Sequence, residues 1–190
     1  TKAIFLENIG NPAFNIPDYE PIVEMARRKG VCVMVDNTFG MGGYLFRPFE
    51  WGCNVSVHSA TKWICGHGTA LGGVVVDGGN FDWTPEKYPL LAAPSESYHG
   101  LVYKEVFGDA AFAGRVRVDG LRNIGPAPSP FNSFLMLQGL ETLSLRAERC
   151  CANTLAVAEF LEKHPAVESV NYPGLKSNQY HDLACKYLKN

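Results

Sequence analysis

The sequence lacks most of the signals that assign a chain at once. No apolar run approaches the ~18–20 residues of a membrane span, and the opening TKAIFLENIG reads as a strand, not as a signal peptide. There is no GxxxxGK[ST] loop, no HExxH and no CxxC, and the GMGG that follows Asp36 does not fit GxGxxG. These absences exclude a nucleoside-triphosphate loop, a dinucleotide fingerprint and the common zinc arrangements, so no metal is expected. An excess of one charge is missing too. The chain has 17 basic and 19 acidic residues and a net charge of −2, without long runs, so neither a nucleic-acid nor a membrane surface is expected. Cys32, Cys53, Cys65, Cys150, Cys151 and Cys185 show no disulfide or metal spacing and read as reduced thiols of a cytoplasmic protein. There is no repeat and no low-complexity tract. The chain does not begin with Met and stops at KYLKN, inside a helical pattern, so both ends read as cuts through a longer protein.

What is present suffices for a core, because 46% of the 190 residues are hydrophobic. Ala3 to Ile9 is an apolar run closed by Gly10-Asn11-Pro12. Asp18 is placed to cap a helix carrying Ile22, Val23 and Ala26, with Arg27, Arg28 and Lys29 at its C-terminus and Gly30 beyond. VCVMV at 31–35 has the composition of a fully buried strand. NVSVH at 54–58 and LGGVVV at 71–76 are further strands. Strand, helix, strand, crossover, strand predicts an α/β fold whose mainly parallel mixed sheet is sandwiched by helices. Helical patterns are expected over 98–107 and 110–123. Ser129-Pro130 reads as an N-cap with proline at the first helical position, and apolar residues recur from there to Leu161. A helix of that length is expected to kink near Gly139 or to bridge two parts of the fold. VESVNYP at 167–173 is a short strand candidate, and the tail after Ser177 is helical. The expected division is a large domain over 1–150 and the start of a smaller one over 151–190.

In such a sheet, ligands sit beyond the C-terminal strand ends. That rule gathers Asn11, Asp36 and the segment Ser59–Lys62 on one rim. Taken singly, each is ordinary: Asp-Asn at a strand end is usually a turn, and a lone lysine is usually solvated. Together they change the reading. Ser59 and Thr61 can hold a phosphate with help from the backbone that follows. Lys62 beside them is a candidate amine nucleophile. Asp36 is an acid on the neighbouring rim. A Schiff-base lysine, hydroxyls for a phosphate and an acid for a ring nitrogen are the requirements of pyridoxal 5'-phosphate.

VDNTFG at 35–40, HSATKWICGHG at 58–68, LQGLETLSLR at 137–146 and ENIGNP at 7–12 resemble the pyridoxal-phosphate enzymes of cysteine and methionine metabolism. GGYLFRPFEWG and SESYHGLVY at 95–103 narrow the resemblance to the O-acetylhomoserine sulfhydrylase group. The resemblance implies fold type I of the pyridoxal-phosphate-dependent transferases, here incomplete. It implies Lys62 as the Schiff-base lysine, Asp36 as partner of the pyridine nitrogen, and Ser59 and Thr61 as phosphate ligands. Asn11 would lie near the cofactor's phenolic oxygen or the substrate carboxylate, and Ser129 near that carboxylate. The implied reaction is a γ-replacement on O-acetylhomoserine by sulfide or a thiol, in a homodimer or homotetramer. A cystathionine γ-synthase or a lyase of the same family would use the same residues. A non-catalytic piece contributing only assembly contacts is the alternative from another class. The family's stacking ring, glycine-loop phosphate contacts and carboxylate-clamping arginine find no counterpart in these residues, so the chain reads as the middle of such an enzyme, inactive alone.

Overall fold

The computed structural model describes residues 1–189. Four strands, β1 (Ala3–Glu7), β2 (Cys32–Asp36), β3 (Val55–Ser59) and β4 (Gly73–Asp77), form one sheet in the order β1-β2-β3-β4. The first two pairings are parallel and β3–β4 is antiparallel. The sheet is therefore mixed and mainly parallel, as the sequence implies. Glu7 lies opposite Asp36, and Asp36 opposite Val57. This register brings the C-terminal ends of β1, β2 and β3 to one rim.

Side-chain alternation explains why β2 reads as a continuous apolar run. Val33 and Val35 join Tyr19, Ala26 and Phe46 in a core on one face of the sheet. Cys32 and Met34 join Val55, Trp83, Tyr88, Leu91 and Tyr103 on the other. Both faces are covered, the usual condition for parallel strands. The first layer includes helix α1 (Tyr19–Arg28). The second is built from the short helices α2 (Pro89–Ala92), α3 (Tyr103–Phe107) and α4 (Ala111–Arg115). A π-helical stretch, Val116–Leu121, continues α4 into α5 (Arg122–Ile124). Gly30 stands at φ +56°, the left-handed conformation that ends α1.

The long apolar pattern resolves into α6 (Pro130–Glu141) and α7 (Leu143–Glu162), separated by Thr142 at φ −107°, ψ 5°. The break falls three residues after Gly139, where a kink is expected. One other detail departs from expectation. Residues 167–173 form no strand, because no strand among the described residues lies alongside to supply ladder partners, and an unpaired extended segment leaves its backbone groups to water. The tail helix α8 (His181–Tyr187) is not left without cover. Tyr187 stacks edge-on against Tyr19 and Trp51, with ring centroids 5.2 and 4.7 Å away. Its hydroxyl accepts the Glu20 N–H (3.2 Å) and donates to Asp18. Asp18 itself makes no side-chain cap to α1. The tyrosine from the tail satisfies an amide at that helix end instead.

Candidate active site

The rim at the C-terminal ends of the parallel strands is tied together by short polar contacts. The N–H of Asn8, just past β1, donates to the Asp36 carbonyl at 3.0 Å. The N–H of Asn37, just past β2, donates to the Val57 carbonyl at 2.7 Å. Thr38 ties the ends of β2 and β3 together twice: its N–H donates to Asp36 Oδ1 (2.9 Å), and its hydroxyl accepts the Ser59 N–H (2.8 Å). Asp36 and Ser59, apart in sequence, are thus fixed through one threonine. Thr38 begins a 3-10 segment, Thr38–Gly43, in which Met41 and Gly42 adopt positive φ.

Ser59 ends β3, and Lys62 follows in a tight turn. The Lys62 N–H donates to the Ser59 carbonyl (3.1 Å), and the Gly66 N–H donates to the Lys62 carbonyl (2.7 Å). Gly66 and Gly68 stand at φ +77° and +66°, so the GHG segment turns through left-handed backbone. Among the described residues, no protein group hydrogen-bonds Lys62 Nζ, Ser59 Oγ or Asp36 Oδ2. Lys62 is exposed, and Asp36 and Ser59 are half-buried. An amine, a hydroxyl and a carboxylate oxygen are therefore all available to a ligand on one rim.

Thr61 is differently placed. Its hydroxyl donates to the Gly72 carbonyl (3.3 Å) and accepts the Gly72 N–H (3.1 Å), closing the connection from β3 to β4. Asn11 sits in the exposed turn after β1, with its N–H on Glu7 Oε2 at 2.8 Å. It shares the rim, and among the described residues it makes no hydrogen bond to the other site residues. Ser129 caps α6 by accepting the Phe131 N–H at 3.2 Å, the structural role its Ser-Pro sequence suggests. One turn later Asn132 donates to the Leu71 carbonyl (3.3 Å), so the start of α6 lies beside the Thr61–Gly72 closure. Ser129 itself stays exposed at that margin.

Two buried asparagines, Asn8 and Asn37, and the half-buried His58 flank Asp36. Both side-chain polar atoms of Asn8 lack hydrogen-bond partners, as do Asn37 Oδ1 and His58 Nδ1. Orphaned buried polar atoms are uncommon and mark places where a ligand or water completes the bonding. His58 Nε2 lies 3.0 Å from the Ser56 hydroxyl. Burial pushes the His58 imidazole below its ordinary pKa, against the opposing pull of the Asp36 carboxylate. Asn8 lies within ENIGNP and His58 opens HSATKWICGHG, but neither segment says that these side chains end up beside Asp36; the pairing of the strand ends does. Thr38 lies inside the VDNTFG segment and could have been found there as a turn threonine.

A polar ligand with an electrophilic carbon, a basic ring nitrogen and an anionic group fits this donor set. Lys62 offers the amine, Asp36 the carboxylate, and Ser59 a hydroxyl with the turn's backbone after it. Among the described residues there is no group of three or more His, Cys, Asp or Glu side chains placed to hold a metal ion.

Comparison with known proteins agrees with this geometry. The chain is 54% identical over 192 aligned residues to a homocysteine/cysteine synthase of Kluyveromyces lactis, covering 100% of this chain and 43% of the relative. It is 54% identical over 189 residues to O-acetyl-L-homoserine sulfhydrylase 1 of Thermus thermophilus, covering 100% of this chain and 45% of the relative. A crystal structure of a putative O-acetylhomoserine (thiol)-lyase from Campylobacter jejuni, containing a pyridoxyl-lysine monophosphate, superposes with a TM-score of 0.93 at 39% identity. It covers 100% of this chain and 46% of its own. The chain thus spans under half the length of each of these proteins. The family model for Cys/Met metabolism PLP-dependent enzymes matches residues 1–190, the full given sequence, and the chain belongs to that family.

Proposed function

We propose that the protein carrying this chain converts O-acetylhomoserine and sulfide to homocysteine and acetate with pyridoxal 5'-phosphate. The observation that carries the proposal is identity of about half, along the whole chain, with a homocysteine/cysteine synthase and an O-acetyl-L-homoserine sulfhydrylase. The rim's donor set supports it. Bound there, the cofactor supplies an electron sink for charge developing at the substrate's Cα.

Lys62 Nζ tethers the cofactor at rest. With the cofactor bound, Lys62 Nζ would also serve as the base that moves the substrate's Cα proton. Asp36 holds a proton on the ring nitrogen through Oδ2, while Oδ1 stays on the Thr38 N–H. Ser59 and the backbone of the Lys62 turn bind the phosphate. Thr61 can join them as a donor by releasing the Gly72 carbonyl, since a hydroxyl has one proton to give. Asn11 is assigned to the cofactor's phenolic oxygen or the substrate carboxylate, and Ser129 to that carboxylate. Proton loss at Cβ, assigned to the same lysine, lets the γ-acetoxy group leave. After sulfide adds at Cγ, protons return to Cβ and Cα; the net change breaks the Cγ–O bond to acetate and forms a Cγ–S bond.

The rest of the reading is proposed with it. Residues 1–150 belong to the large cofactor-binding domain, and 151–190 begin the smaller one. The protein works in the cytoplasm, a reading supported by its six unpaired cysteines. It assembles as a homodimer or homotetramer, supported by exposed Phe131, Phe134 and Leu137 along α6.

The test uses the protein at its natural length. Borohydride reduction of the cofactor-loaded enzyme should place pyridoxyl mass on the peptide containing Lys62, and O-acetylhomoserine with sulfide should give homocysteine and acetate. Label on Lys29 or Lys87 would reject the assignment. Release of ammonia and a keto acid without sulfur incorporation would replace the reaction by a lyase.

A further inference from the structure

The turn that carries Lys62 is gripped from behind by a single side chain. Arg146, in the first turn of α7, donates through Nη2 to the Trp63 carbonyl (3.0 Å) and to the Gly139 carbonyl (2.8 Å). Through Nε it donates to the Thr142 hydroxyl at 3.1 Å. Trp63 is the residue next to Lys62. Gly139 lies in the last turn of α6, and Thr142 is the break between α6 and α7. One planar group therefore joins the lysine turn to the helix junction and satisfies a carbonyl at a helix end that its own helix cannot reach.

Two glycines make room for that grip. A Cβ at Gly66 would stand 2.4 Å from the guanidinium carbon of Arg146. A Cβ at Gly139 would stand 2.2 Å from the Cys65 carbonyl oxygen and 2.4 Å from that of Ile64. With both side chains reduced to hydrogen, the end of α6 lies directly on the backbone of residues 64–65, and the guanidinium lies over Gly66. The turn from Lys62 to Gly66 is thus closed inside by its own hydrogen bond and clamped outside by Arg146 and α6. Among the described residues, Arg146 makes no hydrogen bond to Lys62 Nζ itself.

We propose that Arg146 is a positioning residue for Lys62: it fixes the backbone from which the lysine stem starts and so aims the amine. The inference rests on the reading that Lys62 carries the cofactor. The demand is for geometry and not for charge. A lysine in place of Arg146 would keep the cation but lose the rigid fork that reaches two carbonyls and a hydroxyl together. Reacting groups displaced by about 1 Å can lose on the order of 100-fold in rate, so loosening the turn should slow the chemistry of Lys62 with little effect on substrate binding.

The experiment uses the natural-length protein as Arg146→Lys, Arg146→Met and Thr142→Val, beside the parent. Apo-protein receives pyridoxal phosphate, borohydride is added at intervals, and the pyridoxyl mass on the Lys62 peptide is followed in time. kcat, KM and the thermal midpoint are measured in parallel. Both Arg146 variants are expected to label Lys62 at least about tenfold more slowly and to lose about 10–100-fold in kcat, with KM nearly unchanged. Thr142→Val, an exposed change that removes one of the three bonds, should show a smaller loss of the same kind. Labelling and kcat within twofold of the parent in folded Arg146→Lys protein, whatever its melting point, would reduce Arg146 to a structural residue and overturn the inference. If the Arg146 variants do not fold, Thr142→Val decides: unchanged labelling overturns the inference and slowed labelling supports it. Label on another lysine in the parent would instead overturn the reading of Lys62 itself.

Discussion

Asp36 uses one carboxylate oxygen to order the Thr38 amide and keeps the other free, a division of labour that makes a test of its charge possible. Asp36→Asn preserves size and can keep the bond to Thr38, so the site should stay assembled. The lost charge matters once electrons move toward the ring. In the natural-length enzyme, kcat and kcat/KM should fall together by about 100-fold or more, with cofactor still retained, as for an interaction strongest in the transition state. Steady-state kinetics beside the retained cofactor measure this, and an unchanged kcat would reject the role. His58 next to it gives a pH prediction. Burial lowers its pKa from the ordinary 6.5, so the folded protein holds fewer protons there than the unfolded chain. Its neutral form is accommodated at no proton cost above about pH 6.5, and stability is lost as pH falls from there through the lowered folded value. Urea titrations should show a shallower acid-side decline for His58→Gln than for the parent.

At the level of elements, α6 lies directly on the lysine turn. Gly139→Ala would be favourable in an exposed helix, by about 1 kcal/mol. Here the added methyl meets two carbonyl oxygens, so the sign reverses. The expected loss is about 1–3 kcal/mol in urea denaturation, the range for overpacking. How much of this was legible follows from where each signal resides. β2 and β3 could be read because buried strands write themselves as apolar runs. The capped start of α6 could be read because Ser-Pro is a local code. Lys62, Ser59 and Asp36 could be read because they close successive strands. The grip of Arg146 could not, since it depends on carbonyls of Trp63 and Gly139 that only the tertiary fold brings together. Asn8 and His58 were hidden for the same reason: strand register, not sequence spacing, sets them around Asp36. Residues 167–173 misled because β-forming side chains predict an extended chain but cannot supply the neighbour that makes it a strand. The helical tail could be read, but not its docking, because Tyr187 reads as one more aromatic until Asp18, Tyr19 and Trp51 are seen around it.

On the scale of the whole molecule, the 190 residues carry a covered sheet with uncovered margins. β1 and β4 are edge strands among the described residues; Phe5 on β1 is 60% exposed and Val75 on β4 is 48% exposed. Beside the start of β1 and β2 lies an open apolar cavity of about 540 Å³, lined by Met34, Trp83, Leu91, Phe112 and Ile124 among others. Ile124 at 82% and Leu71 at 76% exposure extend the apolar surface on either side of the sheet. Open edges of this kind template pairing with other chains, and contiguous apolar surface favours association. Residues 1–190 produced alone should therefore associate, bind hydrophobic dyes and hold pyridoxal phosphate weakly, even though Lys62, Asp36 and Ser59 share one rim. Catalysis asks for more than that rim. The substrate's carboxylate must be held in place, and well-oriented binding can account for ~7–11 kcal/mol of a barrier. Among the described residues, the arginine nearest the lysine turn is spent on backbone carbonyls. Light scattering, cofactor retention after gel filtration and a homocysteine assay with O-acetylhomoserine and sulfide test this together. Expected are a polydisperse protein, poor retention and no turnover; a monodisperse monomer with sustained, Lys62-dependent turnover would show that these residues hold a complete site.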